Sequence, residues 1–163
     1  MSGTTCTVGS WGVGRTASVR SPHPWLQALK LSGDQAALDV APYLTQASKQ
    51  RLRAVASLSE DWDGAGSASP TPASVANSLT KLPEICKVAM LAGIWIPPHI
   101  SASEAGEITF EWWEGSRKLT IYFGDHDMEV IRVWGADMEH EMDQRVVAGP
   151  ADLAPAWAWL YGT

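Results

Sequence analysis

Sulfur chemistry has almost no material to work with in this chain. Two cysteines, Cys6 and Cys86, stand among 163 residues, too few for a disulfide scaffold or a thiolate zinc site, so they read as reduced thiols. Long hydrophobic runs are missing too: the longest apolar stretch, Val88 to Ile96, is far short of the roughly 20 residues that cross a bilayer. No membrane span is expected. Gly9, Gly12, Gly14 and Arg15 interrupt every candidate signal-peptide core near the N-terminus, so export is not expected and the anticipated location is cytoplasmic. The catalytic motifs are absent as well. There is no His-Glu-x-x-His and no G-x-S-x-G elbow, and Gly9 to Arg15 lacks both the strand-to-helix setting and the Gly-Lys-Ser/Thr ending of a phosphate-binding loop. Nothing places Cys86 beside His23, His99, His126 or His140, and no cofactor is expected.

What is present is an ordinary globular composition, 45% hydrophobic and 18% charged, with nine tryptophans. Each Trp buries a large apolar area and carries one N–H that wants a partner, so nine could fill a core, line a pocket or form a contact surface. Charge is unevenly spread within the net −6. Residues 1–53 carry six bases against two acids, whereas residues 101–145 carry eleven acids against four bases. The acidic part suits a basic partner, and direct nucleic-acid binding is not expected where phosphates would meet carboxylates.

Residues 1–21, rich in Gly, Ser and Thr, read as a flexible N-terminal arm, and residues 22–163 as a single α+β domain. Pro42 opens a helix that runs to about Leu58, with Leu52 and Val55 on its buried side. Thr71 as N-cap and Pro72 at the first position open a second helix through Val75, Leu79 and Leu82. Pro83 either kinks that helix or starts a third one, closed by Gly93. The period then changes to two. Ile108, Phe110 and Trp112 alternate with Glu107, Thr109 and Glu111, and Leu119, Ile121 and Phe123 alternate likewise, predicting a hairpin across Glu114-Gly115-Ser116. Val130–Trp134 and Met138–Val146 read as third and fourth strands, and Ala151–Tyr161 as a C-terminal helix. The expected architecture is an antiparallel sheet of about four strands with two or three helices packed on one face.

Three constellations carry the functional reading. Trp62, Asp63 and Gly64 form a structural turn in which Asp63 bonds the following backbone, Gly64 takes positive φ and Trp62 turns back toward the core. The other use of this segment pairs Asp61 and Asp63 with Asp125 and His126 as a metal-dependent hydrolase site. Adjacent strand residues point to opposite faces, which argues against convergence of Asp125-His126-Asp127 or Glu139-His140-Glu141 on one ion. The third constellation is the run from Glu111 to Glu114. Trp112 points to the apolar face and Trp113 to the polar one, where Glu107, Glu111, Glu139 and Glu141 surround it and compose a partner-binding surface for a basic protein.

Trp62-Asp63-Gly64-Ala65-Gly66, the helix from Pro72, Gly106-Glu107-Ile108-Thr109-Phe110-Glu111-Trp112 and Leu119 to Phe123 together make the chain resemble a family of small uncharacterised bacterial and phage proteins. That family has a W-D-G-x-G-like turn before a helix and a G-x-I-x-x-E-W strand. The resemblance spans roughly residues 58–135 and implies a fold and an accessory or mobile-element gene, with no activity attached. The function expected is a non-enzymatic protein-binding module acting through an acidic, Trp-containing sheet surface.

Overall fold

The computed structural model describes residues 40–137 and 139–162; the predicted N-terminal arm and Met138 lie outside these. A helical stretch at residues 40–44 leads into helix α1, Gln46–Ala56, which buries Ser48, Leu52 and Val55 along one side. Helix α2, Pro72–Leu91, follows. Thr71 caps it as expected, its Oγ1 accepting from the Ser74 N–H at 3.1 Å. The helix continues through Pro83 as one element of 20 residues. Proline removes one backbone donor there, but burial of Leu82, Ile85, Cys86 and Ala89 on the sheet side holds both halves to one face.

Five antiparallel strands make one sheet in simple meander order: β1 (His99–Ala102), β2 (Ile108–Glu114), β3 (Arg117–Phe123), β4 (Met128–Val133) and β5 (Met142–Val147). A 3₁₀ turn, Pro150–Leu153, then leads into α3, Ala154–Tyr161. The α+β class and antiparallel sheet are as the sequence predicts. The strand count is five rather than four, because the four residues of β1 pair with β2 and bury Ile100 and Ala102.

The predicted last strand needs the larger correction. Residues 139–141 belong to the β4–β5 connection, and β5 begins at Met142. Its register on β4 opposes Arg132 to Asp143 and Met128 to Val147. Val147 therefore enters the core, while Met142 and Val146 turn to the other side of the sheet.

One core fills the space between sheet and helices. Ile108, Phe110, Trp112, Leu119, Ile121, Phe123, Met128 and Val130 meet Leu52, Leu82, Ile85, Leu153, Trp157 and Leu160. Trp112 and Trp157 stand edge to face, 4.7 Å between centroids. Their indole N–H groups donate to two carbonyls of the α2–β1 connection, Trp112 to Ile96 at 2.7 Å and Trp157 to Ile94 at 3.1 Å. Two buried donors thus find partners and fasten the connection to the core.

The turn before α2 and the start of β2 touch each other. Ala68 N–H donates to the Glu104 carbonyl and Thr71 N–H to the Gly106 carbonyl, both at 2.9 Å, and the Ile108 N–H donates to the buried Ser74 hydroxyl at 2.6 Å. Gly106 has φ +83°, and a Cβ there would lie 2.5 Å from the Ser69 carbonyl oxygen. Backbone conformation and close approach both require glycine at this crossing.

Candidate functional site

Core residues use one parity of each strand, so the other parity builds a second face that none of the described helices covers. The register sorts that face into three rows running across the strands. The first is Trp113, Lys118, Val133 and Met142; the second is His99, Glu111, Thr120, Ile131 and Gln144; the third is Ser101, Thr109, Tyr122, Glu129 and Val146. Its large apolar members are only partly covered. Trp113 is 51% exposed and Val146 65%, while Tyr122, Ile131, Val133 and Met142 are half-buried. A sheet face that no described helix covers, with exposed and half-buried apolar side chains around the buried Thr109 and Thr120, is a candidate contact surface.

Trp113 is braced from two sides. The Lys118 ammonium lies 5.5 Å from the indole centroid, and the His99 ring centroid 5.8 Å away at an interplanar angle of 60°. Both partners also meet Glu111: Lys118 Nζ is 2.5 Å from Oε1 and His99 Nδ1 3.5 Å from Oε2. Its side chain is 16% exposed. Glu111 is thus largely covered by the lysine ion pair, and it orders the lysine over the indole.

The other predicted partner-binding residues separate in space. Glu107 precedes β2 at the far end of the sheet, six residues from Trp113 and so about 20 Å away along the strand. It is held in the β1–β2 connection by Ser103, whose hydroxyl donates to Oε2 at 3.3 Å and accepts the Glu107 N–H at 3.0 Å. Glu139 and Glu141 lie in the β4–β5 connection, at the same end of the sheet as Trp113. Asp137 accepts there from the Glu139 N–H and pairs with His140 at 3.0 Å, and Glu141 accepts from the Asp137 N–H. Glu114, the last residue of β2, shares the parity of Trp112 and turns to the helix side, so Asp137, Glu139 and Glu141 are the carboxylates beyond the first row. The carboxylate ring expected around Trp113 is a one-sided rim.

Residues that motif reading passed over hold the sheet edge and its turns. The Arg132 guanidinium pairs with Asp143, its Nε–H donating at 3.1 Å. Arg132 and Arg117 both lie over the Trp159 ring, 5.3 and 5.7 Å from its centroid. An arginine inside an apolar strand, with an acid opposite in the next one, was the available signal for this pair. Asn77 of α2 donates to the Gly124 and Asp127 carbonyls, both at 3.0 Å, and so ties down the turn that carries Asp125 and His126.

Asp63 Oδ1 accepts from the Ala65 N–H at 3.0 Å and its Oδ2 from the Ser67 hydroxyl at 2.6 Å; Gly64 has φ +74° and Trp62 packs against the core. Asp61, at φ +60°, accepts from the Gly66 N–H at 2.8 Å. Both carboxylates are engaged with their own loop. Among the described residues no three His, Cys, Asp or Glu side chains are grouped to hold a metal ion, so Asp61 and Asp63 do not join Asp125 and His126 in one ligand set. Burial pushes the Cys86 thiol up to about 11, which leaves it protonated and unreactive near neutral pH.

The hydrogen bond from Ser67, followed by that from Ala65, holds the Asp63 carboxyl below the usual carboxylate value. A lowered folded-state value stabilises the protein above the unfolded-state value, and the contribution is lost as pH falls through the folded one. Thermal melts followed from about pH 6 down to about pH 2 should therefore show wild type above Asp63→Asn at the upper end and the gap closing at the lower. Parallel curves would remove the carboxylate from the turn's support.

No described helix is long and apolar enough to cross a membrane. Compared with protein-family models, with curated proteins and with solved structures, the chain matches none.

Proposed function

We propose that this protein is a non-enzymatic, cytoplasmic binding module of accessory-gene type, whose uncovered sheet face takes a basic protein partner at its Trp113 end. The observation that supports this reading is the exposed indole of Trp113, in a row with Val133 and Met142 across about 14 Å of sheet. Such a row offers an apolar anchor of the kind that concentrates affinity in protein interfaces. Carboxylates of Asp137, Glu139 and Glu141 at the same end add a field that favours cationic side chains and speeds their approach. Glu111 acts here by positioning Lys118 and through it the indole; Glu107 lies too far away to contribute to the same contact.

Affinity capture from the native host, followed by titration of the purified partner, tests the reading. Glu139→Lys with Glu141→Lys should weaken association at least about fivefold, and raising salt should do the same to wild type. Glu139→Lys alone, whose side chain is exposed, should melt near wild type, and the double variant slightly below it because Glu141 also accepts from the Asp137 N–H. A partner that binds the double variant equally well at all salt concentrations would show that the acidic rim takes no part.

A further inference from the structure

We infer that β5 pairs with the β5 of a second copy of this chain, joining two five-stranded sheets into one of ten strands. The sheet has two edges. On one, β1 is four residues long and α1 packs beside it. On the other, β5 runs six residues, and among the described residues its backbone makes no hydrogen bond outside the β4 ladder. An edge of this length offers a row of free N–H and C=O groups. It also carries Val146 at 65% exposure and no proline, and its two inward charges, Asp143 and Arg145, are of opposite sign and so can be matched by a second copy.

The sequence of β5 says which strand fits it. Met142-Asp143-Gln144-Arg145-Val146 reads apolar, acid, amide, base, apolar, and so is complementary to its own reverse about Gln144. Directly opposed residues of an antiparallel pair share a face, so only registers that keep parity are allowed. With a two-fold axis at Gln144, Met142 opposes the second copy's Val146 on the uncovered face, and Asp143 opposes its Arg145 on the helix side, each contact occurring twice. Moving the axis to Asp143 or Arg145 would set like charges against each other.

The charged pair is also available. Asp143 meets Arg132 through Oδ2 alone and keeps 40% of its side chain exposed. Arg145 has no carboxylate partner among the described residues; its Nη2 only donates to the Asp152 carbonyl at 3.3 Å. Two such copies would place their uncovered faces side by side. The contact is short, so a concentration-dependent dimer is expected rather than a permanent one.

Sedimentation over about 5 to 500 µM should show that dimer. Arg145→Glu opposes two acids across the axis and Asp143→Lys opposes two bases, so each alone should raise the dissociation constant at least tenfold. Mixing the two variants restores both opposite-charge contacts and should recover a heterodimer. That recovery separates interface complementarity from simple misfolding. Should Asp143→Lys fail to fold beside Arg132, cysteine scanning in a Cys6→Ser background decides the matter. Opposed residues at the axis have Cα atoms about 4.5–5.5 Å apart, within disulfide range. Gln144→Cys should therefore oxidise to a linked dimer, and Val146→Cys, displaced from its own copy, should do so far more slowly. A monomer throughout the range, a dimer indifferent to both charge changes, equal cross-linking at the two positions, or β5 amides protected from exchange within a monomer would each overturn the inference.

Discussion

Trp112→Ala should lower the stability of this protein by about 3 to 5 kcal/mol, the range for removing a buried indole, and its melting temperature by on the order of 10 °C. Three losses combine at this position. The side chain is 2% exposed, so its truncation leaves a cavity among Phe110, Trp157 and the helices that close the core. The edge-to-face contact with Trp157 at 4.7 Å disappears as well. Finally, the Ile96 carbonyl loses the donor that binds it at 2.7 Å, which loosens the α2–β1 connection.

Trp112→Phe separates these contributions. It keeps most of the ring and removes the N–H, so it should cost about 1 to 2 kcal/mol, chiefly from the hydrogen bond and the smaller volume. Chemical denaturation of wild type and the two variants measures both. Equal losses for alanine and phenylalanine would assign the whole effect to the Ile96 contact and leave the core packing with little part in it.

Much of this arrangement is legible in the residues themselves, and the reason is local. Apolar and polar side chains alternate from Ile108 to Trp112 and again from Leu119 to Phe123, so the period sends Trp112 inward and, carried one residue further, Trp113 outward. Thr71-Pro72 announces α2 because cap and first turn are decided by adjacent residues. Where partners are distant in sequence, the signal fades. His99-Ile-Ser-Ala is too short to show a period and becomes a strand only because β2 is there to pair with. The register of β5 depends on Arg132, ten residues before its first strand residue Met142, so reading residues 138–146 alone puts Glu139 and Glu141 on a strand they do not join. The same distance hides the pairing of Glu111 with Lys118 across the hairpin. The residue types in the acidic constellation are visible in the sequence; which carboxylates are already engaged requires the register.

Trp113→Ala should leave the fold nearly unchanged and weaken partner association by about 2 kcal/mol or more, roughly thirtyfold, as truncation of a central aromatic anchor does. The small effect on stability follows from its 51% exposure and from the modest worth of its contacts with Lys118 and His99, an exposed cation–π contact contributing about 0.5 to 1 kcal/mol. The large effect on binding follows from geometry. Trp113 is already held by Lys118, which Glu111 holds in turn, so little side-chain freedom remains to be lost on docking. Glu111→Gln should therefore weaken binding less than Trp113→Ala, by releasing the lysine without removing the indole. Calorimetric titration of the partner against the three proteins, with thermal melts alongside, gives the order. Wild-type affinity in Trp113→Ala would move the contact off this face, whereas an affinity loss matched by an equal loss of stability would reduce Trp113 to a packing residue.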